Sequence, residues 1–246
     1  MEINLNRAAS GTLPTTTDLN SEESTLGGVD CPICKNTGTL TKIVDGVLWS
    51  KECECMAKRR SLRNIRKSGI ADMCQRYTFD SYKTPNEQTK RLKSKALEYV
   101  ETKSKWFYLC GKPGSGKTHL CIAICTEFLE RGKEVRYLLW REVAPQLKSL
   151  VNDEEGYKRI IEPLKRADIL YIDDFLKGKV TDADMNLAFE LLNARYNDTS
   201  KRTIISSERK IEEVLDYDEA VGSRILERSK NFCFSSPNEN WRLKGE

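Results

Sequence analysis

One histidine stands in a chain of 246 residues, so a multi-histidine metal cluster is excluded from the start. No apolar run approaches the roughly 20 residues that span a bilayer. The N-terminus MEINLNRAASGTLPTTTDLN also lacks the charged-then-apolar layout of a secretion signal. A cytoplasmic protein with no membrane contact is expected. An excess of one charge is nearly absent: 41 Lys and Arg face 37 Asp and Glu, for a net +4. That balance permits contact with nucleic acid without arguing for it. No internal repeat is visible. What is present is an apolar fraction of 39% and a charged fraction of 32%, enough for a buried core under a solvated surface. Wholesale disorder is excluded, and the length suits one moderate domain, or one plus a small module. Nine cysteines, an odd number, make a poor disulfide framework in a reducing compartment. They read better as core thiols plus a metal site.

Four units are expected along the chain: a flexible tail at 1–28, a small cysteine-bearing module at 29–57, a basic linker helix at 58–75 and a larger strand-and-helix domain at 76–246. The tail is rich in Ser, Thr, Asn and Gly and ends at Gly27-Gly28. Thr39 to Trp49, broken by Asp45-Gly46, reads as a hairpin. Lys58 to Lys67 carries six basic residues in ten and no acid, and stops at Gly69. It is either a solvated helix face or a contact for a partner's acidic surface or for DNA phosphates. From Arg76 strands and helices alternate. Strands are expected at Trp106–Cys110, Val135–Trp140, Asp168–Asp173, Arg202–Ser206 and Asn231–Phe234. Helices are expected at Thr118–Arg131, Glu142–Val151, Gly156–Arg166, Asp182–Tyr196 and Glu219–Arg228. Five short apolar strands separated by helices describe an α/β fold, a mostly parallel sheet covered on both faces in three layers.

The strongest signal is Gly111-Lys112-Pro113-Gly114-Ser115-Gly116-Lys117-Thr118, a complete G-x-x-x-x-G-K-[ST] loop between an expected strand and an expected helix. Its glycines let backbone N–H groups converge on a phosphate, and the helix points its positive end at the same anion. Lys117 should reach the β- and γ-phosphates, and the Thr118 hydroxyl should ligate Mg²⁺. His119, in the first helical turn, packs or caps near the nucleotide. A second metal-side carboxylate is needed, and Asp173 ends the apolar strand from Ile169. Asp174 is then the candidate that polarises the attacking water, a role often filled by the longer Glu, so slow or partner-stimulated hydrolysis is expected. Asp173 lies 55 residues beyond Thr118, with a strand and two helices between, so another strand should separate the two in the sheet. No Asn-Lys-x-Asp guanine-reading motif occurs, which favours ATP.

Cys31-x2-Cys34, then 18 residues, then Cys53-x-Cys55, resembles the spacing of structural zinc knuckles. Four thiolates around Zn²⁺ carry a net charge of two negative units, which Lys35, Lys51, Lys58, Arg59 and Arg60 lie close enough in sequence to offset. With every ligand a cysteine the metal would be structural. A redox pair or unconnected thiols are the alternatives. Cys110, Cys121, Cys125 and Cys233 read as core filler.

Taken together, Gly111–Thr118, Ile169–Asp174, Thr203–Glu208, Gly222–Arg228 and Asn240-Trp241-Arg242 resemble the AAA+ replicative-helicase loaders of bacteria and phages, the DnaC/DnaI type. Arg76–Tyr82 resembles the segment with which those loaders enter the ATPase core. The resemblance implies a P-loop AAA+ (ASCE) core without a C-terminal lid. It also implies ATP-dependent action on a hexameric replicative helicase, binding of single-stranded DNA, and self-association through the ATP interface. Residue by residue it implies that Ser207 is the polar γ-phosphate sensor, although Glu208 stands where many relatives have Asn. Arg224 would act on the ATP of a neighbouring subunit, with Arg228 a substitute, and Arg242 would be a second sensing arginine or simply solvated. Some loaders carry a zinc module that contacts the helicase, which implies that contact for 29–70. A transposition-helper ATPase of a mobile element and a nucleotide-binding adaptor without turnover are the alternatives.

Overall fold

The computed structural model describes residues 30–44, 47–67, 71–103, 105–237 and 239–243. The expected tail, the Asp45-Gly46 turn and the Gly69 helix stop lie outside the described residues. Among those described, no helix is long and apolar enough to cross a membrane.

Strands β1 (Thr39–Val44) and β2 (Val47–Glu52) form an antiparallel hairpin with Ile43 opposite Leu48. Helix α1 (Cys55–Lys67) follows directly, starting three residues before the expected Lys58. Its Ser61, fully buried, donates to the Lys133 carbonyl at 2.8 Å and accepts from the Val135 amide at 2.8 Å. Those two bonds pin α1 to the edge of the main sheet, where an unpaired buried hydroxyl would be costly.

Next come α2 (Ala71–Arg76), α3 (Glu87–Glu101), β3 (Phe107–Cys110), α4 (Lys117–Glu130), β4 (Val135–Leu139), α5 (Trp140–Ser149) and α6 (Glu154–Arg166). After these stand β5 (Ile169–Phe175), α7 (Asp182–Asn197), β6 (Arg202–Ser207), α8 (Ile211–Tyr217), α9 (Glu219–Arg228), β7 (Cys233–Ser235) and a 3-10 turn at Trp241–Leu243. The linker helix expected at 58–75 corresponds to two helices, α1 and α2, whereas α3 and α8 had no counterpart among the expected elements. Each is set by local chemistry or tertiary packing: α3 opens on a capping box in which Asn86 and Thr89 satisfy one another's backbone amides.

Five strands form one sheet in the order β4-β5-β6-β3-β7, every neighbouring pair parallel. Alternation along each strand feeds two cores. Phe107, Leu109, Ile169, Tyr171 and Ile204 face α3 and α4 on one side. Tyr108, Cys110, Leu170, Ile172 and Ile205 face α5 to α9 on the other. Strands covered on both faces need unbroken apolar runs, and β3 is buried at every position. The three-layer α/β core is thus as expected. β6 lies between β3 and β5, which is the separation inferred from the 55-residue interval.

Candidate nucleotide-binding site

The glycine-rich loop leaves β3 and turns into α4, with left-handed backbone at Gly114 (φ 74°) and Gly116 (φ 86°). No side chain caps α4 and its first turn holds no acid, so the positive end of its dipole faces the loop. Close packing fixes the loop. A Cβ on Gly111 would stand 1.9 Å from Ser236 Oγ, and one on Gly114 would stand 2.0 Å from Asn240 Oδ1. Ser115 Oγ lies 2.6 Å from Ser236 Oγ and donates to the Lys112 carbonyl at 2.8 Å. The Trp241 amide donates to the Gly114 carbonyl at 3.0 Å, clasping the 3-10 turn onto the loop. Lys117 folds its ammonium onto the carbonyls of Gly111 at 2.7 Å and Lys112 at 2.9 Å. Burial lowers its pKa, opposed by the nearby carboxylates of Glu208 and Asp174.

Asp173, at the C-terminal end of β5, meets this loop across the sheet. Its carboxylate accepts from Thr118 Oγ1 at 3.3 and 3.4 Å, from Tyr137 OH at 3.2 Å, from the Asp174 amide at 3.0 Å and from Ser206 Oγ. A carboxylate only 6% exposed is tolerable because donors surround it. Burial and the Asp173 charge together push the Tyr137 phenol pKa up, which keeps that donor protonated. Thr118 and Asp173 thus provide the hydroxyl and carboxylate oxygens that a hard divalent cation such as Mg²⁺ prefers.

Asp174 and Leu176 both adopt left-handed backbone (φ 52° and 54°), a strain of about 1–2 kcal/mol each for residues with a side chain. The chain doubles back there, and Lys177 Nζ donates to both Asp174 oxygens at 3.3 and 3.2 Å and pairs with Glu208 at 2.8 Å.

These groups line one cleft of ≈ 890 Å³. Pro113 to His119, Asp173, Asp174, Lys177 and Glu208 line it. Tyr77 and Tyr82 from the segment after α2 add an aromatic lining, with Trp241 and Arg242 from the terminal turn. His119 ties the aromatic segment down. Its Nε2 lies 3.1 Å from both the Thr78 carbonyl and Ser81 Oγ, and its ring sits 4.8 Å from that of Tyr77 and 5.2 Å from that of Tyr82. Burial lowers its pKa.

The cleft therefore brings together Gly114, Ser115, Gly116, Lys117, Thr118, His119, Asp173, Asp174 and Arg242. It does not bring in Ser207, which is fully buried and donates to the Phe175 carbonyl at 2.7 Å. Its neighbour Ser206 contacts Asp173 instead. Arg224 lies on α9, away from the cleft. It donates to Asn193 Oδ1 at 3.0 Å and stacks 4.8 Å over the Phe189 ring. Sequence reasoning missed Tyr137, Ser206 and Lys177. Their only signal was proximity to strand ends.

In the N-terminal unit the four sulfurs of Cys31, Cys34, Cys53 and Cys55 all lie within 4.8 Å of one another. Tetrahedral zinc at about 2.3 Å from each sulfur requires sulfurs about 3.8 Å apart, and Cys31–Cys53 at 3.7 Å and Cys34–Cys55 at 3.5 Å approach that spacing. Left-handed Lys35, Asn36 and Gly38 wrap the chain around the first pair, and Asn36 Oδ1 accepts from the Cys31 amide at 3.0 Å and from Arg59 at 2.8 Å. Burial raises the Cys55 thiol to about 12, helped by the neighbouring thiols. The donor set fits a structural zinc ion.

A phosphate loop at a helix N-terminus, facing an aspartate two strands away in a parallel sheet, defines a P-loop nucleotide-binding core of the AAA+ arrangement. The chain belongs to the family described as IstB-like ATP binding protein, which it matches over residues 35–245. Among curated proteins it is 31% identical to the uncharacterized protein YqaM of Bacillus subtilis (strain 168) over 200 residues, 75% of this chain and 62% of YqaM. It is 30% identical over 243 residues to the phage-like element PBSX protein XkdC of the same organism, covering 91% of this chain and 90% of XkdC. To the replicative helicase loader DnaC of Escherichia coli (strain K12) it is 28% identical over 173 residues, 68% of this chain and 69% of that protein. A crystal structure of the DnaC helicase loader shares the fold, with a TM-score of 0.55 at 19% identity over 66% of this chain and 98% of that one. The resemblance read from the motifs is borne out at the level of family and fold.

Proposed function

We propose that this chain loads a replicative DNA helicase onto single-stranded DNA, ATP binding and hydrolysis switching its contacts with both. The observation that carries the proposal is the cleft itself, where Thr118 and Asp173 face the phosphate loop. Similarity to a protein named as a replicative helicase loader supports the choice of partner. Gly111–Thr118 cradle the triphosphate and Lys117 contacts its outer phosphates. Thr118 and Asp173 hold Mg²⁺, which when bound neutralises phosphate charge. Asp174 orients the attacking water, one methylene short of Glu, so turnover is slow until a partner improves the geometry. Arg224 reaches the ATP of a neighbouring subunit, which makes self-association part of catalysis. Arg242 reports on the bound nucleotide from the terminal turn.

Residues 29–57 form the zinc module, held by Cys31, Cys34, Cys53 and Cys55, and residues 76–246 the ATPase domain. The module and the 58–75 segment grip the helicase. The hairpin is suited to that grip, since Ile43 and its cross-strand neighbour Leu48 are exposed by 74% and 68%, an apolar pair whose burial against a partner is favourable.

Mixing the purified chain with hexameric helicase and single-stranded DNA under ATP tests the proposal. A three-part complex that disperses on hydrolysis is expected; the lack of a helicase complex under ATP defeats it. A second reading is a transposition-helper ATPase of a mobile element. Capture of a transposase instead of the helicase is its signature. A complex with no turnover at all points to a nucleotide-binding adaptor.

A further inference from the structure

Lys177 lies four residues past Asp173, and its ammonium group sits between two carboxylates of the same cleft. Asp174 is at 3.2 and 3.3 Å and Glu208 at 2.8 Å. The three residues belong to the adjacent ends of β5 and β6. Their arrangement is built into the backbone: the left-handed residues Asp174 and Leu176 turn the chain back, and the Lys177 amide donates to the Asp174 carbonyl at 3.1 Å. The Lys177 side chain is 26% exposed, so it is neither sealed in the core nor free in solvent. It is also close enough to Lys117 for the two charges to act on one another.

That position matters because the end of β6 offers a phosphate little else. The Ser207 hydroxyl is committed to the Phe175 carbonyl, and Glu208 is an anion. An outer phosphate held by Lys117 brings more negative charge than a single carboxylate, and in a partly water-excluded cleft it is the stronger partner for an ammonium group. We propose that Lys177 is the residue that distinguishes ATP from ADP, moving its ion pair from Asp174 to the terminal phosphate. The exchange frees both Asp174 oxygens to orient water, so Asp174 is held inactive until a triphosphate arrives. Glu208, the second carboxylate on the ammonium, competes with the phosphate for it. The inference rests on the reading of the cleft as an ATP site and adds the device that senses the third phosphate.

Equilibrium titration of the full chain with Mg²⁺ and either ADP or the slowly hydrolysed analogue AMPPNP tests it, with melting curves to check folding. Lys177→Met should lower AMPPNP affinity about tenfold and leave ADP affinity within about twofold, the size of one charged contact to phosphate. Lys177→Arg should keep most of the preference for triphosphate. Glu208→Gln removes the competing carboxylate and should raise that preference a few-fold, the opposite direction, which a general folding defect cannot produce. An unchanged AMPPNP-to-ADP ratio in Lys177→Met overturns the inference and leaves the cleft assignment standing. If Lys177→Met does not fold, Glu208→Gln decides: an unchanged or lowered preference overturns the inference. No binding of either nucleotide by the wild type defeats the cleft assignment itself.

Discussion

Thr118 Oγ1 donates to Asp173 Oδ1 at 3.3 Å across 55 residues of chain. The contact joins the first turn of α4 to the end of β5, spanning β6 in the sheet. Two hard oxygens are thereby set beside the phosphate loop by rigid elements on both sides, the preorganisation that a metal-assisted phosphoryl transfer needs.

Asp173→Asn keeps the shape of that contact and removes its charge. Turnover should fall about 100-fold or more, the usual cost of losing a charged metal-side ligand. AMPPNP binding measured in EDTA should change little. A turnover assay over a magnesium titration checks this, and wild-type magnesium dependence in the variant would count against the assignment.

Gly111 and Gly178 both have positive φ, at 150° and 96°, but differ in their surroundings. A Cβ at Gly111 meets Ser236 Oγ at 1.9 Å, whereas one at Gly178 meets nothing within 4 Å. Gly178→Ala should therefore cost only backbone strain, about 1 kcal/mol, and Gly111→Ala about 2–4 kcal/mol. Gly111→Ala should also weaken nucleotide binding. Urea denaturation of the two variants reads the difference; equal losses would contradict the packing described.

His119 is the only histidine, and comparison with a variant that lacks it isolates its titration. Burial in the folded chain, with Lys93 adding repulsion, holds its pKa below the ordinary 6.5. The unfolded chain then takes up the proton first as pH falls, and folding loses stability below about pH 6.5. Above that value the group is neutral in both states and contributes no slope. The wild type should therefore lose more stability than His119→Gln between pH 7.5 and 5.5 in urea titrations. A wild-type-minus-variant difference that does not vary with pH would show that burial does not hold the imidazole pKa down.

The cysteine cluster should carry one zinc per chain, measured by elemental analysis and lost in Cys53→Ser. Because the ligands are thiolates, protons compete with the metal and acidification should release it. Chelation should expose the 30–67 region to protease. Metal-free protein with unchanged protease resistance would refute the site.

The phosphate loop, the β5 aspartates and the cysteine pairs were legible because each depends on residue type at fixed local spacing. The insertion of a strand between β3 and β5 followed too, from the interval between Thr118 and Asp173. What sequence could not give depends on register and on tertiary contact. Ser206 and Ser207 are neighbours of identical type that point to opposite faces of β6, so only the register decides that Ser206 meets Asp173. Lys177 joins the site through left-handed turns at Asp174 and Leu176, the second a residue type that rarely adopts one. The aromatic lining of Tyr77 and Tyr82 is built on His119, 37 residues beyond Tyr82, through contacts that no periodicity announces. Helix α8 spans only seven residues, too few for a helical period to stand out.

The central claim, that this cleft uses ATP to place a helicase on DNA, is tested most directly by loading onto closed single-stranded circles, which offer no end to thread. Purified hexameric helicase, ATP and the wild-type chain should leave helicase on the circles, and omission of ATP or the Lys117→Ala substitution should reduce its retention at least about tenfold. Retention with Lys117→Ala equal to the wild type, or none with the wild type and ATP, would contradict the account.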